Sequence, residues 1–272
     1  MLSIKNILKS LLLTLMLSFM VFFGMKAYSH ALSFEEHTTE LVSFQGVQDL
    51  TKRKLHRLAK SILGDLYEDK QLAHFDKIKA LKKYAMQEAH RYTYYFMATL
   101  LLLLCMYFFI SLRMFTAFGA ISAMLTLFFG LVIPILMVTI HKEVEYLGDV
   151  VLSFESKGVI GSIVKLWENG DVVVAMVIFI FSVLVPTIKI VSLLFVSVFV
   201  GSRFAHTVVK FFKMIGKWSM VDVFVVAVFL VYLTANKGDV SRAEIEVGLY
   251  FFLAYVIVSM IVSLSADKML KQ

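Results

Sequence analysis

Six apolar segments, each long enough to cross a bilayer, constrain this chain more than any other feature of its sequence. A hydrocarbon core about 30 Å thick requires about 20 residues of helix. The mean hydropathy of +0.82 and a charged fraction of only 17% exclude an ordinary soluble domain, in which about a quarter of the residues are charged. The segments are Ile7–Met25, Tyr94–Leu112, Met114–Ile140, Val172–Val200, Ser219–Ala235 and Val247–Ser265. The sequence therefore predicts an all-α, polytopic membrane protein with six transmembrane helices.

Basic residues give these predicted helices an orientation. Lys5 and Lys9 precede the first span. The loop between the fourth and fifth spans contains no acid, and its lysines and arginine are Arg203, Lys210, Lys213 and Lys217. Short loops rich in lysine and arginine remain in the cytoplasm. Both termini are therefore predicted to be cytoplasmic, and the acidic loops after the third and fifth spans to be external.

The N-terminal third of the chain divides into three predicted parts. Residues 1–31 form an N-terminal anchor or a signal peptide, because an apolar core precedes the small residues of Ser29-His30-Ala31. Residues 32–92 form a periplasmic helical segment, and residues 93–113 form the second transmembrane helix. The external segment has apolar residues at helical spacing and basic residues on its other face. It either closes on itself or on the membrane surface, or it is a docking surface for a partner.

A short amphipathic segment from Gly158 to Glu168 is predicted to lie in the membrane interface. Its apolar residues fall on one face of a helix, and Trp167 is expected at the level of the lipid headgroups. Asn169-Gly170-Asp171 then predicts a turn into the fourth span.

Lys189 is the only formally charged residue between Val172 and Val200, and it follows Pro186 by three residues. A charge at bilayer depth costs about 2.5–3.5 kcal/mol on insertion scales. A proline removes a backbone hydrogen bond that lipid cannot replace. The fourth span is therefore predicted to have a polar, kinked centre. Lys189 either makes an internal polar contact or receives an anionic group such as a lipid phosphate.

Two further residues are candidates because they lie inside predicted spans. Pro134 interrupts the third span. Asp222 lies about one helical turn inside the cytoplasmic interface, which Trp218 marks. Asp222 either caps its helix or forms a stretched ion pair with Lys189, which lies roughly 16 Å from the cytoplasmic end of its own helix. The predicted lipid-binding residues are Lys189, Pro186, Pro134, Trp167, Asp222, Trp218 and Ser219.

Enzymatic chemistry has no sequence signature here. The sequence contains no phosphate-binding glycine loop, no GxSxG elbow and no HExxH motif. Cys105 is the only cysteine, which excludes a disulfide framework and a cysteine-based metal site. We therefore predict a protein that is not an enzyme and has no cofactor. The net charge of +7 fits basic cytoplasmic loops beside anionic lipid better than it fits nucleic-acid binding.

From roughly Phe118 to the C-terminus, the sequence resembles the paraquat-inducible protein A family of Gram-negative inner membranes. The matching features are the proline-interrupted helix at Pro134, the interfacial segment 158–167 with Gly170, the motif from Phe181 to Lys189 and the motif from Gly216 to Phe224. The resemblance implies that residues 114–272 form a four-helix transmembrane module. It also implies that the protein acts with a periplasmic MCE-domain partner and loads or unloads phospholipid at the inner membrane.

The chain departs from the family pattern in two ways. Its single cysteine cannot build the paired CxxC zinc ribbons that many members carry. It has one four-helix module where many members have two, and a homodimer would supply the second. The leading prediction is an inner-membrane component of a phospholipid transport system. The alternatives are a structural anchor for a periplasmic assembly and a proton-coupled transporter of small molecules.

Overall fold

The computed structural model describes residues 4–43, 70–144, 148–198 and 241–270. Within these ranges the chain forms seven α-helices and three β-strands. The helices are α1 (Ile4–Ser43), α2 (Lys70–Cys105), α3 (Leu112–Val132), α4 (Val159–Glu168), α5 (Val172–Phe179), α6 (Val185–Val198) and α7 (Gly248–Leu270), and the strands are β1 (Leu136–Val144), β2 (Gly148–Lys157) and β3 (Ser241–Ile245). Five helical stretches of the described residues are long and apolar enough to cross a membrane. These five correspond to predicted spans, and the predicted fifth span, Ser219–Ala235, lies outside the described residues.

Helices α1 and α2 form an antiparallel hairpin that is longer than any predicted span. Near one end, Nζ of Lys9 donates a 2.6 Å hydrogen bond to the carbonyl of Phe109. Near the other end, Nε2 of His74 lies 3.6 Å from a carboxylate oxygen of Glu40. The 40 residues of α1 extend about 60 Å, twice the hydrocarbon thickness. Part of the hairpin therefore projects beyond the bilayer.

A seven-residue repeat holds this hairpin together. The buried residues of α1 recur every seven positions, at Leu13, Met20, Ala27, Phe34 and Leu41. This spacing is typical of coiled-coil packing, in which one stripe of each helix faces its partner. The stripe continues without a break through Ser29-His30-Ala31, where the sequence also allowed a cleavage site. The division of the N-terminal region into anchor or signal peptide remains a prediction.

Helices α3, α6 and α7 pack into the bundle that contains the candidate site. Small residues allow α3 and α7 to approach closely, as is common between membrane helices. A Cβ atom on Gly119 would lie 2.7 Å from Val262, and one on Gly130 would lie 2.8 Å from the backbone nitrogen of Phe252. The core of the bundle is therefore built on close contact between these two helices.

Helix α3 ends at Val132, and this corrects the prediction that the third span continues to Ile140 across Pro134. Ile133 has extended backbone angles, with φ −69° and ψ 139°. A residue before proline is disfavoured in the helical region because the proline ring clashes with its backbone. Pro134 therefore terminates the helix, and the chain continues as strand β1.

A three-stranded antiparallel sheet, in the order β2-β1-β3, covers the end of the bundle. Residues of β1 pair with β2 in register from Leu136 opposite Lys157, and with β3 from Leu136 opposite Ile245. Outside the strands, the backbone N–H groups of Glu246 and Gly248 donate to the carbonyls of Ile135 and Pro134, both at 2.9 Å. The helical membrane architecture is confirmed, and this small sheet is an addition that the sequence did not reveal. It joins the two acidic loops that were predicted to be external.

Candidate functional site

Lys189 lies inside the bundle, with only 8% of its surface exposed. Its Nζ atom donates a 3.4 Å hydrogen bond to Oγ of Ser259 on α7. The hydroxyl of Ser259 donates in turn to the carbonyl of Val256 at 3.0 Å, and Ser259 is 1% exposed. Ser259 is eleven residues from either end of α7, about 16 Å in each direction. The structure therefore contains a buried cation beside the midpoint of the apolar helix α7, with an internal polar contact as the sequence allowed.

The bundle that holds Lys189 contains further buried hydroxyl groups. On α3, the hydroxyls of Ser122 and Thr126 are fully buried and donate to backbone carbonyls of their own helix. Between α3 and α7, Oγ1 of Thr116 and Oγ of Ser265 lie 3.2 Å apart. Buried hydroxyl groups supply oxygen acceptors where lipid supplies none. The interior of the bundle is therefore not purely apolar.

Pro186 lies three residues before Lys189, next to a distorted part of the fourth span. Helices α5 and α6 are joined by a π-helical segment, Ile180–Leu184, and the N–H of Val185 donates to the carbonyl of Ile180. Proline cannot donate a backbone hydrogen bond, and its ring clashes with the carbonyl four residues earlier. A π-bulge relieves such a clash by widening one turn, and bulges of this kind are frequent at functional sites. Ser182, Pro186 and Lys189 are all buried and share one face of the helix.

Trp167 and Lys189 are not brought together. Trp167 is 54% exposed on α4, and Ile160 and Val164 on the same helix are also exposed. Helix α4 ends in a Schellman turn: Asp171 N–H donates to the carbonyl of Leu166, and Gly170 has a φ of 89°, which favours glycine. Lys189 then lies 17 residues beyond Val172, or about 25 Å along the fourth span. The structure therefore places Trp167 on an exposed helix surface and Lys189 in the interior of the bundle, and the interfacial position of Trp167 remains a prediction.

The other predicted site residues divide into two groups. Pro134 is buried at the junction of α3, β1 and α7, where its carbonyl accepts from Gly248, and it is not beside Lys189. Asp222, Trp218 and Ser219 lie outside the described residues, so the proposed pair between Asp222 and Lys189 remains a prediction. Within the described ranges, no cluster of His, Cys, Asp and Glu could hold a metal ion.

Sequence reasoning missed three residues that the structure makes prominent. Ser259 contacts Lys189, and a serine in an apolar span was the only signal for it. Arg113 separates two predicted spans, and its guanidinium donates to the carbonyls of Ser197 and Val198 at 3.0 and 2.9 Å. Glu246 is only 2% exposed at the start of α7. A carboxylate there is favoured by the positive end of the helix dipole.

Residues 115–270, more than half of the chain, match the model of the family described as Paraquat-inducible protein A. The chain belongs to this family. The matched residues begin in the first turn of α3 and include the bundle, the sheet and Lys189. Helices α1 and α2 precede the match. The predicted extent of the family region, from about Phe118 to the C-terminus, is confirmed.

Two curated relatives are similar over part of the chain. The chain is 28% identical over 115 residues to the Escherichia coli (strain K12) intermembrane transport protein PqiA, covering 40% of this chain and 27% of that protein. It is 26% identical over 117 residues to a probable intermembrane transport protein of Haemophilus influenzae, covering 41% of this chain and 28% of that one. The chain thus spans little more than a quarter of the length of these relatives. No solved structure matches it.

Proposed function

We propose that this chain is an inner-membrane component of a phospholipid transport system. Its family and the names of its relatives support a transport role. The observation that carries the choice of substrate is Lys189, a buried cation at mid-depth in a bundle lined with hydroxyl groups. A lysine ammonium attracts a phosphate as a compact point charge. In this proposal the phosphate of a lipid headgroup is the anion that Lys189 receives.

The other candidate residues have supporting roles in this proposal. Pro186 and the π-helical segment widen the helix beside Lys189 and give a headgroup room to enter. Pro134 ends helix α3, and the sheet that begins after it covers the external end of the bundle. The amphipathic helix α4, with Trp167, bounds the lipid entrance at the interface. Asp222, Trp218 and Ser219, which lie outside the described residues, are proposed from the sequence alone to contribute at the cytoplasmic end.

The external part of the α1–α2 hairpin is the proposed contact for a periplasmic MCE-type partner. By length, this part stands beyond the hydrocarbon core. Its described surface is basic on α2, where exposed lysines include Lys77, Lys79 and Lys83. Rim charges of this kind steer and orient a partner of opposite charge. Failure of the partner to co-purify when these three lysines are replaced by glutamate would support this contact, and unchanged co-purification would exclude it.

The proposed orientation places both termini in the cytoplasm and the sheet outside. Lys9, Arg113 and Lys268 all lie at one end of the bundle, as the charge rule requires. With Cys105 replaced by serine, a cysteine at Asn169 is expected to react with a membrane-impermeant maleimide in cells whose outer membrane has been permeabilised. A cysteine at Ser111 is expected to react only after the inner membrane is opened. The reverse pattern would invert the topology.

Purified protein is expected to retain at least one phospholipid per chain after extensive detergent exchange. Loosely held annular lipid exchanges with detergent, whereas a lipid held by a charge in a desolvated interior is released slowly because that interaction is strong there. Native mass spectrometry measures the number and headgroup class of retained lipids. Wild-type protein that is folded but free of phospholipid at every detergent concentration would overturn the proposal.

A further inference from the structure

A groove of about 1000 Å³ lies between the first half of α1 and the start of α3. On α1 its wall runs from Asn6 to Ser18, and on α3 it includes Arg113, Met114 and Phe118. Helix α1 precedes the residues that match the family. The groove is therefore a product of this chain's own N-terminal region, and it is separate from the interior that holds Lys189.

Small side chains at helical spacing create the groove. Ser10, Thr14 and Ser18 recur every four residues and so lie on one face of α1. The hydroxyl of Thr14 donates to the carbonyl of Ser10 at 2.9 Å, and that of Ser18 donates to the carbonyl of Thr14 at 3.0 Å. These hydroxyl protons are therefore already used within the helix. The stripe provides space, while Leu11, Leu15 and Phe118 provide apolar walls.

The mouth of the groove is positively charged. Two of the five N–H groups of the Arg113 guanidinium donate to the carbonyls of Ser197 and Val198. Those two bonds hold the guanidinium at the rim of the groove. They do not use its other three N–H groups. Arginine suits phosphate because its planar fork matches phosphate oxygens. Lys5 is exposed one residue before Asn6, on the same end of α1.

The length of the groove matches one leaflet of a bilayer. Asn6 and Ser18 are 12 residues apart, or about 18 Å along the helix axis. Half of a hydrocarbon core about 30 Å thick is about 15 Å. With the charged mouth at the membrane surface, the apolar part of the groove extends over the depth of an acyl chain.

We propose that this groove binds a phospholipid of the cytoplasmic leaflet, with its phosphate at Arg113 and one acyl chain along α1. This inference rests on the proposed function only because both assign a phospholipid as the ligand. The bound molecule would be a second lipid, held at the cytoplasmic surface and outside the bundle interior. Because this site lies at the start of α3, the lipid bound there would either enter the bundle from the groove or reach the groove after passing through the bundle.

The test is the number of phospholipids retained by full-length protein purified from vesicles of phosphatidylglycerol and measured by native mass spectrometry. Thr14→Trp fills the groove, and Leu12→Trp places the same ring on a neighbouring exposed position of α1 that does not line it. We expect Thr14→Trp to lose one retained phospholipid and Leu12→Trp to keep it. Arg113→Gln is expected to weaken the same lipid roughly tenfold, the scale of a hydrogen bond to a charged group.

Two results would overturn the inference. The first is an unchanged lipid count in folded Thr14→Trp protein. The second is an efficient disulfide between Thr14→Cys and a cysteine placed in segment 219–235, in a Cys105→Ser background, because it would show that the chain itself fills the groove. Loss of lipid in Lys189 variants but not in Thr14→Trp would leave the proposed function standing and remove this site. Loss of lipid in Thr14→Trp but not in the Lys189 variants would support this site and reject the proposed role of Lys189.

Discussion

Lys189→Met protein is expected to fold normally and to lose the phospholipid held inside the bundle. Methionine has nearly the length of lysine but no charge, so the substitution removes the cost of burying an ammonium group. Replacing a buried charge by an apolar residue of similar size is often neutral or stabilising when its partners tolerate the loss. Ser259 does tolerate it, because its hydroxyl donates to the carbonyl of Val256 and accepts from Lys189. If the charge binds lipid, occupancy should fall tenfold to a hundredfold, the scale of a charge-assisted hydrogen bond.

Three controls make this result interpretable. Lys189→Arg keeps the charge and should keep lipid if the bundle accommodates the larger group. Lys79→Met removes an exposed lysine of α2 and should change nothing in lipid retention. Thermal denaturation in the same detergent reports whether each variant is folded. Equal lipid in wild-type and folded Lys189→Met protein would reject the proposed role of Lys189. A variant that loses stability but still transports lipid would favour the structural-anchor alternative.

Gly248→Ala is expected to lower the free energy of unfolding by about 3 kcal/mol, at the upper end of ordinary overpacking costs. A Cβ atom at this position would collide with the carbonyl oxygen of Ile133 and lie 2.5 Å from that of Pro134. Both atoms belong to the backbone where α3 becomes β1, and the N–H of Gly248 is bonded to one of them. Neither atom can rotate away as a side chain would. The substitution should therefore separate α7 from the end of α3.

Gly161→Ala is the matched control for this prediction. Gly161 lies inside α4, and a Cβ atom there would have no neighbour within 4 Å. Alanine is favoured over glycine inside a helix by about 0.5–1 kcal/mol, so this variant should be equal to wild type or slightly more stable. Urea titration followed by tryptophan fluorescence compares the two. If both alanine variants have wild-type midpoints, the close approach at Gly248 does not contribute to stability.

The membrane helices could be predicted because lipid imposes a strong and simple requirement. Five described helices coincide with apolar segments that the sequence already identified, and Gly170 forms the expected turn after α4. The long hairpin was only partly foreseen. Its heptad stripe continues through Phe34 and Leu41, where charged neighbours such as Glu35 and Glu36 lower the mean hydropathy, so the apolar segment ends before the packing pattern does.

The sheet was missed for a different physical reason. Leu136 to Ile140 continue an apolar run that already had the length of a helix, and only the conformational effect of Pro134 on Ile133 ends that helix. Strand β3 pairs with β1 across more than 90 intervening residues, which no local pattern reports. The site shows the same limit. Lys189 was recognisable as a charge out of place, whereas Ser259, Arg113 and the groove beside α1 depend on contacts between distant segments.

Hydrogen bonds join α3 to α7 at both ends, and Arg113 joins the start of α3 to the end of α6. At the sheet end, the chain entering α7 is bonded to the residues that follow α3, and at the other end Thr116 lies against Ser265. The α3–α7 pair is thus held by hydrogen bonds at both ends. Between α6 and α7 the described side chains contribute the bond from Lys189 to Ser259, a 3.4 Å contact at mid-depth. Within the described residues, a phosphate that binds Lys189 would therefore also act on the contact between α6 and α7.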